Sequence, residues 1–395
     1  MMKILFLIIL INKINGYGEI PQSWDSREVL VMMNSLRMNP NQYKENFMKP
    51  YGFKNLENVI TTKYYEPVSP LQFNEKLFDM ALSHSIDMSQ SEDCFTFENC
   101  NGTSFYDRID DWKCDENTQE HIYKSSTSNN GFKAINRLIC RNSVDCLKDD
   151  DPNVGDFRDR IMGKDINYSG TGIVFNESLS TWFYTMDFTL TSCTPENDQQ
   201  SGDKSIISAT HTFKYGDPKS ITFQQQLPIT FLANYYNSTQ SIDSFYLFII
   251  GKNINLKVTL NKLYSSDNDK TTNGVYSITL SENSYSTCDY YYFQVTTQTG
   301  QIQRYPTKGF LKIIDYKQSC NGVAWSESSS NFSPLPSLPQ NHFYNFFPNF
   351  INSESKKVQE IDNDKSITSN TTILIFSNYL TMFLISILSL LLLLL

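Results

Sequence analysis

The spacing of apolar residues changes once along the 395-residue chain, and this change constrains the fold more than any other feature. Before residue 190, apolar residues recur every three to four positions in segments 26–48, 71–88 and 132–140, which is typical of amphipathic helices. Two strand-like segments follow, at 170–175 and 182–188. Beyond a boundary at 193–203, rich in Pro, Asn, Asp, Gln and Gly, short strand-like segments alternate with turns. The pattern predicts an α+β fold in which a mixed domain precedes an antiparallel β-sandwich.

Apolar segments lie at both ends of the chain. A basic start, eight apolar residues at 4–11 and a small-residue exit predict a secretory signal peptide over residues 1–18. Residues 372–395 are almost wholly apolar and carry no Lys or Arg after them, which favours a GPI-addition signal over a membrane span. Residues 326–371, rich in Ser, Pro and Asn, are typical of a stalk. We therefore expect a secreted protein held at the cell surface by its C-terminal anchor.

The cysteines and glycosylation sequons agree with that location. All eight cysteines lie between the two apolar ends, and an even number in an oxidising compartment predicts up to four disulfides. Cys288 and Cys320 are the only two beyond the boundary, so we expect them to pair, while the pairing of the other six stays open. The predicted N-glycosylation sites are Asn101, Asn167, Asn176, Asn237 and Asn331.

Several classes of function are disfavoured by composition and motif content. The net charge of −9 argues against a nucleic-acid partner gripped through its phosphates. The chain has four histidines and contains no Gly-x-Ser-x-Gly, Gly-x-Gly-x-x-Gly or P-loop motif, so we expect no cofactor. His84 lies on the apolar stripe of the second helix and is interpreted as a packed core residue. The Tyr-rich strand at 290–295 favours packing, although a stacking surface for sugars is the alternative.

Four segments, in order, carry a resemblance to a known family. They are residues 34–40, 71–88, 95–109 and 155–173, with Asn-x-x-Arg-x-Asn-Pro, Phe-Thr-Phe-Glu-Asn-Cys-Asn-Gly-Thr-Ser and Gly-Asp-Phe-Arg-Asp-Arg-Ile-Met as their clearest stretches. Together they resemble the CAP superfamily, in its SCP-like extracellular branch. The resemblance implies a CAP-type α-β-α sandwich, and we place the SCP-like domain at residues 22–194 and the β-sandwich domain at 203–325.

The resemblance fails at the family's cavity. The family's two cavity histidines fall on Phe97 and Phe157, and its Gly-Glu-Asn motif becomes Gln119-Glu120-His121, so one carboxylate remains. We expect the two rings to form a buried apolar wall, with Glu120 at the rim or paired with a donor such as an arginine. A phenyl ring offers no lone pair, so we expect no metal ligands and no catalytic residues.

The sequence therefore predicts a non-enzymatic protein with an extracellular binding role. The resemblance implies a lipid, a sterol or another protein as the ligand, and the sequence does not identify it. An extracellular hydrolase with an unrecognised active site is the alternative. Loss of both cavity histidines argues against that alternative.

Overall fold

The computed structural model describes residues 21, 23–58, 66–126, 131–141, 143–146, 156–191, 193, 205–213, 228–251, 255–266, 272–307 and 309–314. All of them belong to one compact unit, Met1–Asn331. The predicted signal peptide, stalk and C-terminal tail lie outside the described residues, as do Cys320, Asn331 and His342. The domain boundaries drawn from the sequence therefore stay predictions. No helix among the described residues has the length and apolarity needed to cross a bilayer.

Helices are concentrated in the N-terminal half of the described chain. Their bounds are α1 Trp24–Met38, α2 Pro40–Tyr43, α3 Glu75–Met88, α4 Phe105–Trp112, α5 Gly131–Ile139 and α6 Asp156–Ile161. A π turn, Lys44–Met48, continues α2. The sequence indicated helical periodicity across 26–48 with a perturbation at Asn39-Pro40, and the helix divides there because Asn39 is extended and caps α2, whose first residue is Pro40. Asn74 caps α3 in the same way by accepting from the Leu77 N–H at 3.0 Å.

The strands of the described residues form three sheets. Sheet A has the order β1-β3-β4-β2, built from Gln72–Phe73, Tyr168–Asn176, Thr181–Thr189 and Gln119–Ser125. Sheet B has the order β5-β6-β10-β9, built from Ile206–Phe213, Ile229–Tyr235, Gly274–Leu280 and Asn261–Ser265. Sheet C has the order β12-β11-β7-β8, built from Ile302–Tyr305, Tyr290–Thr297, Ile242–Ile250 and Asn255–Thr259, with β13 Leu311–Lys312 beside β11. The predicted α+β fold is confirmed.

Helix α3 lies against one face of sheet A because two glycines of β3 leave room for it. A Cβ on Gly170 would lie 2.1 Å from the Phe78 nitrogen, and one on Gly172 would lie 2.2 Å from the Leu82 nitrogen. The helix backbone therefore rests directly on the strand. Ser85 strengthens this contact, because its hydroxyl donates to the Gly172 carbonyl at 3.0 Å and lies within hydrogen-bond distance of the Thr185 hydroxyl, at 2.9 Å.

Helix α1 is buried on several sides, which explains why fourteen of its fifteen residues are buried. It contacts α5, sheet A and sheet B. Asn34 and Ser35 form hydrogen bonds with Ser208 and Asn234 of sheet B. The opposite face of sheet B packs on sheet C through residues such as Phe231 and Tyr291, whose ring centroids lie 5.0 Å apart. Sheets B and C thus form a β-sandwich.

Burial changes the ionisation of Glu28 on α1. Its side chain accepts from the Thr212 hydroxyl and from the Gly131 N–H at 2.8 Å. Burial raises the pKa of Glu28 to about 8, so the group is mostly neutral at pH 7. His211 is buried beneath Trp24, and its Nδ1 atom lies 2.8 Å from the Tyr291 hydroxyl. Burial lowers the pKa of His211 to about 3.

Disulfides join Cys94 to Cys100, Cys114 to Cys193 and Cys140 to Cys146. Cys288 is disulfide-bonded as well, and its expected partner Cys320 lies outside the described residues. The predicted use of disulfides is confirmed, and it indicates an oxidising compartment.

Candidate functional site

A buried polar cluster lies beneath α3, on the face of sheet A that the helix covers. We call it the Arg108 cluster; its members are His84, Asn99, Arg108, Glu120 and Asp187. Glu120 of β2 lies directly opposite Asp187 of β4, so the two carboxyl groups project from the same face of the sheet. The chemistry that the cluster can perform depends on how these two acids are neutralised.

Arg108 holds the Glu120 carboxyl at close range. Its Nη2 atom donates to Glu120 Oε1 at 2.7 Å and to Oε2 at 2.8 Å. Its Nη1 atom donates to the Phe97 carbonyl at 2.9 Å and to Asn99 Oδ1 at 3.0 Å. Arg108 is 4% exposed and Glu120 is 2% exposed, so the ion pair is closed to solvent. Arg160 also donates to the Glu120 backbone carbonyl.

His84 projects from α3 into the same cluster and is fully buried. Its Nδ1 atom lies 3.1 Å from Asn99 Oδ1, and its Nε2 atom lies 3.1 Å from the Thr96 carbonyl and 3.7 Å from Glu120 Oε1. Burial, and then the charge of Arg108, lower the pKa of His84 to about 4, so the ring is neutral at pH 7. The core role predicted for His84 agrees with this placement.

The two carboxyl groups differ in how they are neutralised. Burial raises the pKa of Glu120 to about 7, and Arg108 opposes this rise by stabilising the carboxylate. Burial, and then the charge of Glu120, raise the pKa of Asp187 well above its ordinary value. The two carboxyl groups lie within hydrogen-bonding reach of each other, and neither oxygen of Asp187 has another partner within the described residues. Burial and the neighbouring Glu120 therefore favour the neutral form of Asp187, while Arg108 favours the carboxylate form of Glu120.

The predicted cavity residues do not meet in one place. The Phe97 carbonyl touches Arg108, but the Phe97 ring is 48% exposed, so the expectation of two buried rings is wrong for Phe97. Phe157 is buried, with its ring 4.7 Å from that of His121. His121 alternates with Glu120 along β2, so Phe157 packs on the sheet face opposite to Glu120. The expected pairing of Glu120 with an arginine is confirmed.

Sequence reasoning missed Arg108 and Asp187. Asp187 carried a signal, because Thr185, Asp187 and Thr189 place polar side chains at every second position of an otherwise apolar strand. No sequence signal marked Arg108 as buried, since an arginine in a short amphipathic helix is ordinarily on the surface. Its burial follows from the capping box at Ser104 and Asp107, which fixes the start of α4 and directs Arg108 inward.

The cluster does not present metal ligands. Among the described residues, no group of three or more His, Cys, Asp or Glu is placed to hold an ion. A separate cavity of about 400 Å³ lies beside β2 and β4 and is lined by residues that include Glu92, Lys124 and Arg137. It contains no member of the Arg108 cluster. The carboxyl groups of the cluster therefore contact other buried residues and do not line this cavity.

Comparisons with known proteins give a limited result. No family model matches the chain, and no curated protein matches it. A structural match was found to an extracellular protein containing an SCP domain from Bacillus anthracis str. Ames, solved at 1.5 Å resolution. The identity is 20%, the TM-score is 0.25, and the match covers 38% of this chain and 42% of that one. A TM-score this low establishes neither a shared fold nor a shared activity.

Proposed function

We propose that this chain is an SCP-like extracellular protein with a non-catalytic binding role, held at the cell surface by its C-terminal tail. The four motifs at 34–40, 71–88, 95–109 and 155–173 support the SCP-like assignment. The disulfides among described cysteines support an extracellular location. The anchor and its GPI type rest on the sequence of residues 372–395 alone.

The use of Glu120 carries the non-catalytic part of the proposal. Both of its carboxylate oxygens accept from Arg108, and the pair is buried. A general acid or base must come within hydrogen-bond reach of the proton that it moves, and a metal ligand must offer a free lone pair. Glu120 is 2% exposed, so no external substrate comes within reach of its carboxyl group, and the charge of Arg108 opposes the approach of a cation to its remaining lone pairs. The remnant of the family's cavity therefore serves as a buried structural ion pair.

The buried ion pair of Arg108 and Glu120 fixes a surface that suits an apolar ligand. Arg108 joins α4 to the Phe97 carbonyl, and it therefore holds two segments that each expose an aromatic ring. Phe97 is 48% exposed and Tyr106 is 72% exposed. Exposed apolar side chains mark a binding site where they form a contiguous patch, and Phe97 and Tyr106 are the exposed rings of the two segments that Arg108 joins. We assign the lipid, sterol or protein ligand to this surface, which we call the Phe97 rim.

Zinc-binding and activity measurements distinguish a binding protein from a hydrolase. The full-length protein, made in a secretory host and purified in detergent, should show no saturable zinc binding by calorimetry at micromolar concentration. It should also show no esterase or peptidase activity that differs between wild type and Glu120→Gln. One-to-one zinc binding, or turnover, that disappears in Glu120→Gln would favour the hydrolase alternative.

A second measurement tests the Phe97 rim. A fluorescent sterol in neutral phosphatidylcholine vesicles serves as the lipid probe. The double variant Phe97→Ala/Tyr106→Ala should reduce the bound fraction several-fold, because it removes both exposed rings. Phe175→Ala, which truncates a 43% exposed ring at the end of β3, is the matched control and should bind like wild type. Equal sterol binding by wild type, the double variant and Phe175→Ala would show that the Phe97 rim does not bind the lipid.

A further inference from the structure

The outer face of sheet C carries a strip of aromatic rings and cations. Cross-strand register aligns Tyr292 with Phe248, and Phe248 with Lys257, so these three residues share one face. The intervening residues, such as Leu247 and Phe293, belong to the buried core of the sandwich. We call this face the aromatic strip; its members are Tyr246, Phe248, Tyr290, Tyr292, Phe310, Lys257, Arg304 and Lys312.

The rings and the cations of the strip hold one another in place. The Phe248 and Tyr292 rings are stacked, with centroids 4.6 Å apart and planes 3° apart. Lys257 Nζ lies 3.9 Å from the Tyr246 centroid and 5.6 Å from the Phe248 centroid. The Arg304 guanidinium lies 3.8 Å from the Tyr292 centroid. Such contacts fix long cationic side chains that would otherwise be mobile.

The strip is an electropositive face on an acidic protein. The chain carries a net charge of −9, yet the outward positions of β7, β8, β11 and β12 contain no Asp or Glu. Lys257 is exposed. Arg304 donates from Nη2 to the Gly309 carbonyl at 2.8 Å, while its Nε atom has no hydrogen-bond partner within the described residues. Lys312 is buried and Arg304 is half-buried with its Nε atom covered, so Lys257 is the exposed cation of the strip and Arg304 presents part of its guanidinium.

We propose that the aromatic strip binds a linear anionic polysaccharide, with carboxylate or sulfate groups on Lys257 and Arg304 and sugar rings against the half-buried Tyr246 and Phe248. The charges complement those of the ligand. Lys257 lies over the Tyr246 ring and Arg304 over the Tyr292 ring, so the two cations occupy different positions along the strip. A chain of charged sugars can contact both cations at once and place sugar rings against the aromatic residues between them. This role goes beyond the proposed Phe97 rim, because it uses another sheet and another class of ligand.

Binding to defined polymers tests the proposal. Fluorescein-labelled heparin serves as the sulfated probe, polygalacturonate as the carboxylated probe and dextran as the neutral control, each titrated into the full-length protein. We expect saturable binding to the two anionic polymers, weakening as salt rises from 50 to 300 mM, and no binding to dextran. Lys257→Glu should lower the affinity at least fivefold because it reverses an accessible charge.

Two further variants make the result specific. Lys54→Glu makes the same charge change at an exposed residue outside sheet C and should keep the wild-type affinity. Tyr246→Ser removes a ring but no charge and should also weaken binding, which general electrostatic attraction would not require. The proposal is overturned by three results: absence of binding to both anionic polymers, equal loss in Lys257→Glu and Lys54→Glu, or Lys257-dependent binding to phosphatidylserine vesicles without binding to either polymer.

Discussion

Replacing Arg108 with methionine should remove the central support of the Arg108 cluster. Arg108→Met keeps an unbranched side chain of similar length but leaves Glu120 without its two contacts at 2.7 and 2.8 Å. The Phe97 carbonyl and Asn99 Oδ1 also lose a donor. Breaking a buried pair by removing one partner costs about 3–5 kcal/mol. We expect a loss of this size in the free energy of unfolding at pH 8.

The loss should depend on pH in a definite direction. At pH 5 the unpaired Glu120 takes up a proton, because its pKa is already raised to about 7 and rises further without Arg108. A neutral acid is less costly to bury than a carboxylate. The destabilisation caused by Arg108→Met should therefore be smaller at pH 5 than at pH 8.

Urea unfolding followed by tryptophan fluorescence measures these changes. Glu120→Gln removes the negative charge of the pair and leaves Arg108 in place. The double variant Arg108→Met/Glu120→Gln completes a double-mutant cycle. The double variant should lose less free energy than the sum of the two single losses, by about 2–3 kcal/mol, because it buries no unpaired charge. A loss below 1 kcal/mol for Arg108→Met at pH 8, or additive losses, would refute the idea that Arg108 neutralises Glu120.

Three further outcomes follow from the structure. Wild-type protein should gain about 1 kcal/mol of stability in urea unfolding from pH 8 to pH 7, because the raised pKa of Glu28, near 8, makes the folded state bind a proton that the unfolded state releases, and the raised pKa values of Glu120 and Asp187 act in the same direction. The buried histidines, whose pKa values are lowered, oppose the gain increasingly toward pH 6; a flat profile from pH 8 to pH 7 would contradict the prediction. Glu28→Gln should raise the melting temperature at pH 8 and Glu28→Ala should lower it, since the amide keeps partners for Thr212 and Gly131. Peptide mass spectrometry should find glycan on exposed Asn101 but none on Asn237, which is 7% exposed and donates to Ser205 Oγ at 2.6 Å.

Local sequence signals predicted most of the long elements. The helical segment at 132–140 corresponds to α5, Gly131–Ile139, and the strand-like segments at 170–175 and 182–188 correspond to β3 and β4. These elements have strong periodicity and clear turn residues at their ends. Short elements with little periodicity, such as β2 and β12, were missed, because their strand conformation depends on pairing with β4 and β11.

The sequence by itself determined the class of the fold and the chemical environment that the protein needs. The change in apolar spacing near residue 190, the even number of cysteines and the chain's negative charge are all local or additive properties. It also indicated that Glu120 would either lie at the rim or need a partner, since an unpaired buried carboxylate is costly.

Only the tertiary structure decided which residues meet at that carboxylate. Arg108 and Asp187 lie 12 and 67 positions from Glu120, and each reaches it through the packing of α4 and the register of β2 with β4. The same register places His121 and Phe157 on the opposite face from Glu120. A single carboxylate in a sequence has no fixed environment; its pKa and its role arise from long-range packing, which local patterns do not encode.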